Sequence, residues 1–178
     1  MTDILALDIA TKTGWARGRV GEIPQSGSVR FGGLHDSPHE IFAQALAWIS
    51  NFLEPKPRPD VLMIEALLPP DAMKGKTSKA VRDRLSGLHG IMKAVASLRG
   101  IGEIAEVSVG DVRAHFIFDR TARREIAKRE TLLQCKALDW PAEDDNAADA
   151  CAIWSYACAL IDPKSALRVV PLFHRRSA

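Results

Sequence analysis

The sequence predicts an α/β fold: a five-stranded mixed sheet with helices on both faces. Three observations lead there. Two short, continuously apolar runs, Asp3 to Ile9 and Asp60 to Glu65, read as strands covered on both sides. Between them, partly alternating segments with short connections read as an antiparallel meander. Beyond Thr77, apolar residues recur at three- and four-residue steps, the mark of amphipathic helices.

Taken in order, Thr13 to Val20 and Gln25 to Phe31 follow the first strand, joined by a turn at Gly21-Glu22-Ile23-Pro24. Gly32-Gly33 breaks the pattern, and Ser37-Pro38 supplies a helix cap and a proline at the first helical position. The helix to Leu53 gathers Ile41, Ala45, Trp48, Ile49 and Phe52 on one face, and the proline-rich stretch 54–59 ends it. After the strand to Glu65, a loop from Leu67 to Gly75 precedes a helix from about Thr77 to Leu98, with Val81, Leu85, Leu88, Met92 and Val95 on its apolar face. Gly102 to Ser108 is the fifth strand. Helices are expected over Asp111 to Phe118, Arg123 to Leu138 and Glu143 to Leu160. Strands in the order meander, crossover, crossover give a sheet with antiparallel and parallel parts.

With 178 residues and 47% hydrophobic residues, the chain suits one domain over 1–162, followed by a basic tail over 163–178. Its formal charge of +2 hides a segregation of sign. Residues 72–99 hold seven Lys or Arg against one acid, and residues 120–129 hold five against one. Residues 139–149 hold five acids and no base. This arrangement suggests a polyanionic partner beside an acidic centre. Cys135, Cys151 and Cys158 show no metal-ligand spacing, and their odd number fits a reducing, cytoplasmic setting. No apolar run reaches the roughly 18 residues of a membrane span.

Asp8 and Glu65 each close a buried strand, where an uncompensated carboxylate costs on the order of several kcal/mol. Ligands bind beyond the carboxyl ends of parallel strands, so the two acids can converge there. In the stretch EDDNAADACAIW, Asp145 and Asp149 stand four apart on one helix face, a repulsive spacing unless a cation lies between them. Carboxylates without a His or Cys cluster favour Mg²⁺ or Mn²⁺. Two such ions about 4 Å apart serve phosphodiester hydrolysis. Asp144 and Asp145 also suit a helix cap, but Asp149 lies a turn inside, beyond the reach of capping.

The order of elements, with acids on the first strand, the fourth strand and the last helix, resembles the RNase H-like nucleases. Within that fold, LALDIATKTGWA, VLMIEALL, the Leu85-x-x-Leu88-x-Gly90 pattern and DDNAADACAIW resemble the RuvC family of Holliday junction resolvases, particularly phage-type members, over nearly the whole chain. The resemblance implies a homodimeric, Mg²⁺-dependent endonuclease, with Mn²⁺ able to substitute, that makes paired nicks in a four-way DNA junction. It implies Asp8, Glu65 and Asp149 as catalytic metal ligands. Two positions depart from the family pattern: Asp8-Ile9-Ala10 stands where Asp-Pro-Gly is common, and Asn146 where an Asp or His is usual. The fourth catalytic and metal-ligand role therefore passes to Asp145, with Asp144 behind it.

Lys74, Lys76, Thr77, Lys79 and Arg82 follow Glu65 and can carry a phosphate backbone past the acids. Arg123, Arg124, Lys128 and Arg129, just before the acidic helix, form the second DNA-binding block, with Arg120 beside them. Lys74-Gly75-Lys76-Thr77 lacks the upstream glycine of a P-loop. The four tryptophans read as core or interface. The five histidines show no metal spacing, and His89 alone, on the basic helix, is a candidate for DNA contact or proton transfer. The exposed face of the Thr77 to Leu98 helix is the expected dimer interface. Rival readings are an RNase H-fold nuclease for RNA–DNA hybrids or flaps, a junction-binding protein without catalysis, and a kinase-like ATPase fragment, for which the chain is too short.

Overall fold

The computed structural model describes residues 1–33, 36–68 and 78–166. Its elements run β1 (Asp3–Asp8), β2 (Lys12–Arg19), β3 (Gln25–Arg30), α1 (Pro38–Phe52), β4 (Val61–Glu65), α2 (Lys79–Leu98), β5 (Glu103–Val107), α3 (Val109–Phe116), α4 (Arg124–Ala137), α5 (Asp145–Ile161) and α6 (Pro163–Ala166). The five strands form one sheet in the order β3-β2-β1-β4-β5. β1, β2 and β3 are antiparallel, while β1, β4 and β5 run parallel. This is the mixed sheet that the sequence predicts.

Side-chain alternation sorts the strands between two cores. Leu5, Leu7, Leu62 and Ile64 pack under α1 and α2, with Ile41, Ala45, Ile49, Leu88 and Met92. Ile4, Ala6, Val61 and Met63 pack on the opposite face, under Val112, Phe116, Cys135 and the buried side of α5. Full burial of Ile4, Leu5, Leu7, Leu62 and Ile64 stabilises the sheet by roughly 2 kcal/mol per side chain. Trp154 is buried and meets Trp140 edge-on at 5.5 Å, and its indole N–H donates to the Gly18 carbonyl at 3.2 Å, tying α5 to β2. Trp15 and Trp48 are partly buried in an aromatic group with Phe31 and Phe52. At the pole where β4 begins, Arg58 donates to the Leu53 and Arg99 carbonyls at 3.0 and 2.8 Å, so one cation closes the ends of α1 and α2.

Helix boundaries differ from expectation where caps intervene. The Ser108 hydroxyl accepts from Asp111 N–H, so α3 starts at Val109 rather than Asp111 and ends at Phe116 rather than Phe118. Ser78 caps α2 in the same way, through Val81 N–H. Asp144 caps α5, which starts at Asp145 rather than Glu143. The boundary expected at 162 falls just beyond α5, and one further turn, α6, follows it. His89 does not reach a DNA surface: it is buried, with Nδ1 turned toward Glu106 of β5 at 3.9 Å. Lys74, Lys76, Thr77, His35 and the tail beyond 166 lie outside the described residues. Among the described residues no helix is long and apolar enough to cross a membrane.

One contact sets the height of α5 above the sheet. Gly14 pairs with Asp8 in the β1–β2 register, and a Cβ built on it would fall inside the Asn146 carbonyl. Gly14→Ala must push the first turn of α5 away from β1. It should lower stability by about 1–3 kcal/mol in urea melts, with Thr11→Ala, just before β2, as a mild control.

Candidate active site

Asp8 and Glu65 are the last residues of β1 and β4. Leu7 stands opposite Ile64 in the parallel register, so the next step along both strands sets Asp8 beside Glu65, with strands roughly 4.8 Å apart. Both acids share the parity of Ala6 and Met63, and so turn toward the α5 face. There the second turn of α5 delivers Asp149. Asp8, Glu65 and Asp149 thus come from three elements to one end of the sheet, and each feels the charge of another.

Their protonation records the crowding. Burial first, then the charge of Glu65, pushes the Asp8 carboxyl up to about 7, against the pull of Lys128 and Arg124. Burial and Asp149 raise Glu65 to about 7, with Arg113 opposing. Burial and Asp8 raise Asp149 to about 7, with Lys128 and Arg113 opposing. Three cations therefore border the acids: Arg113 on α3, and Arg124 and Lys128 on α4.

The other two acids at the start of α5 have separate tasks. Asp144 accepts from Ala147 N–H at 2.9 Å and from the Ser28 hydroxyl at 2.6 Å, and it pairs with Lys12 at 2.7 Å. Burial opposes its ionisation, but these partners hold the carboxyl down at about 2. Asp144 is spent on fastening α5 to β2 and β3. Asp145 forms an ion pair with Lys128 and accepts from the Asn146 amide at 3.0 Å; the Lys128 hydrogen bond holds it below the usual carboxylate range. Its charge still acts on Asp8 and Asp149, so it stands at the rim of the group.

Three buried oxygen-donor carboxylates that repel one another suit a hard divalent cation in kind. Among the described residues, no three His, Cys, Asp or Glu groups are gathered closely enough to hold an ion as they stand.

The predicted DNA-contact residues divide. Lys79 is exposed and Arg82 half-buried in the first turn of α2. Topology points that turn to the end of the sheet where the acids lie, because α2 returns the chain to the start of β5. Arg123, Arg124 and Arg129 are exposed, and Arg129 pairs with Glu130 at 2.8 Å. Lys128 forms an ion pair with Asp145. Arg113 was absent from the sequence-based set. As a single cation inside a short helix it carries no pattern, and only the packing of α3 on α5 brings it to the acids.

No family model and no curated protein matches the chain. Solved structures do. The chain is similar to Thermus thermophilus RuvC in complex with a Holliday junction substrate, with a TM-score of 0.68 at 14% identity over 90% of this chain and 96% of that one. A second Thermus thermophilus RuvC structure matches with a TM-score of 0.66 at 15% identity, over the same shares of the two chains. The yeast mitochondrial Holliday junction resolvase matches with a TM-score of 0.55 at 13% identity, over 95% of this chain and 85% of that one. The fold is that of the RuvC-type resolvases, as the sequence motifs imply.

The raised carboxyls have a consequence for stability without metal. In the unfolded chain these acids titrate near their ordinary values of 3.8 and 4.5, and in the fold near 7. The folded state thus binds more protons across that interval, and the stability present at low pH is lost as pH rises through 7. In chelator, Asp149→Asn should raise stability on the order of 2 kcal/mol or more at pH 8, by less at pH 5 and little below pH 3.8, read as melting temperature across that range.

Proposed function

We propose that this protein is a divalent-metal-dependent endonuclease that resolves four-way DNA junctions, or other branched DNA, by paired phosphodiester hydrolysis. The observation that carries the reading is the convergence of Asp8, Glu65 and Asp149 at one end of a RuvC-type sheet, bordered by cations. Asp8, Glu65 and Asp149, with Asp145 at the rim, are the residues that hold Mg²⁺ or Mn²⁺. Such ions, when bound, activate water and stabilise the leaving oxygen.

The chain's own residues do the rest. Arg113 and Arg124 face the acids and offset the charge of a phosphate drawn among them. Lys128 holds Asp145 in an ion pair at the rim, where a bound cation would compete for the same carboxylate. Lys79 and Arg82, together with Lys74, Lys76 and Thr77 ahead of them, hold one arm of the duplex. Arg123 and Arg129 hold another, so that binding weakens steeply with salt. A cytoplasmic setting agrees with three buried, unbridged thiols, Cys135, Cys151 and Cys158.

Paired cuts call for two active sites in a twofold dimer. Along the exposed side of α2 run Ser86, Gly90 and Ala94, and a side chain built at Gly90 meets nothing within 4 Å. A glycine in an exposed helix interior costs about 1 kcal/mol against alanine, and close approach of a second helix would account for it.

Cleavage of a synthetic four-way junction, compared with linear duplex, RNA–DNA hybrid and flap, should show junction-selective paired nicks in Mg²⁺ or Mn²⁺ and none in chelator. Asp8→Asn and Asp149→Asn should each reduce the rate by about 10³-fold or more while leaving junction binding intact. Tight binding without cutting in either metal would leave the binding protein, and metal-dependent cutting of hybrid or flap would replace the substrate. Gly90→Arg should convert the dimer to monomer in light scattering at micromolar concentration. A wild-type chain that is already monomeric would remove α2 as the interface.

A further inference from the structure

We propose that Lys128 occupies the second cation position of the acidic centre in the free protein, so that each chain takes one divalent ion rather than two. The inference rests on the metal-dependent reading above. It narrows the residues that hold the ion to Asp8, Glu65 and Asp149.

The carboxylates are of two kinds. Both oxygens of Asp145 are covered by donors of the chain itself: Oδ2 pairs with the Lys128 ammonium, and Oδ1 accepts from the Asn146 amide at 3.0 Å. Among the described residues, no side chain or backbone N–H donates to the carboxylates of Asp8, Glu65 or Asp149. Three acids thus keep open oxygens for a hard cation, and the fourth is closed. Lys128 is held where it stands. It lies in the second turn of α4, which packs through the buried Ala127, Thr131 and Cys135, and its own side chain is only 27% exposed. From there the ammonium pairs with Asp145 and its charge also acts on Asp8 of β1 and Asp149 of α5. Arg129, next in the chain, is exposed and pairs with Glu130 instead.

Charge balance agrees. Four carboxylates, Asp8, Glu65, Asp145 and Asp149, face three cations, Arg113, Arg124 and Lys128. The shortfall is one charge. A single divalent ion turns it into one surplus positive charge, which one phosphodiester cancels. Two ions would leave a surplus of three, in a buried place where uncompensated charge is costly. Asn146 adds no charge toward a second ion, and its amide is turned to Asp145 as a donor.

The test is Mn²⁺ binding to the full chain without DNA at pH 8, by titration calorimetry and by the free-ion signal in electron paramagnetic resonance. The wild type should take one ion per chain. Lys128→Met and Lys128→Gln, which remove the charge, should take two and bind the first about 10-fold more tightly. Adding Asp145→Asn to either should return the count to one, and Lys128→Arg should stay at one. Asp145→Asn alone is an independent arm: it should keep one ion, because that carboxylate serves the lysine. Melting in chelator shows which variants are folded. Two ions in the wild type, one ion in a folded Lys128→Met or Lys128→Gln, or loss of the ion in Asp145→Asn overturns the proposal and leaves the metal-dependent reading in place. A wild type that takes no Mn²⁺ removes that reading, and this proposal with it.

Discussion

Two carboxylates forced side by side at the ends of neighbouring parallel strands are the constraint around which the molecule is arranged. The register that pairs Leu7 with Ile64 brings Asp8 to Glu65, and strand parity turns both to the same face. Neither residue can relieve the repulsion by swinging to the other side, because Leu7 and Ile64 occupy that side in a closed core. The cost must be met by what is placed above the acids. The structure places a helix there that adds a third carboxylate, and two further helices that bring Arg113, Arg124 and Lys128. Repulsion is contained rather than removed: the cations border the acids without neutralising them.

The two cores divide the labour. The face under α1 and α2 is a conventional apolar layer, closed at one end by Arg58 on two helix termini. The other face changes character along its length. It is apolar beneath Trp154, Phe116 and Cys135, then charged where α5 begins. Asp144 marks the transition. By binding Lys12 and Ser28 as well as the first turn of its own helix, it anchors α5 while its neighbours remain committed to the acidic group.

Much of this was legible in the sequence. Continuous apolar runs ending in Asp8 and Glu65 announced buried parallel strands, and the four-residue spacing of Asp145 and Asp149 announced one helix face. Other parts were not. Arg113 is one cation in a short helix, and no periodicity separates it from a solvated side chain. Lys128 was visible as part of a basic block, but its pairing with Asp145 depends on how α4 lies along α5. His89 shows the converse error: charge density on α2 suggested a surface, while the local face of the helix turns that ring inward against β5. The start of α3 was missed because one serine side chain, Ser108, outweighs the apolar pattern that follows it.

The contact between Gly14 and residue 146 has an evolutionary side. It is the carbonyl of residue 146, not its side chain, that rests on the strand. The main chain therefore does the seating, whatever residue is encoded there. Among the described residues, the Asn146 side chain hydrogen-bonds only its neighbour Asp145. A lineage can exchange it for a charged or a neutral group and retune the acidic centre without unseating the helix. Gly14 has no such latitude. Freedom of chemistry at one position rests on a demand of shape at another.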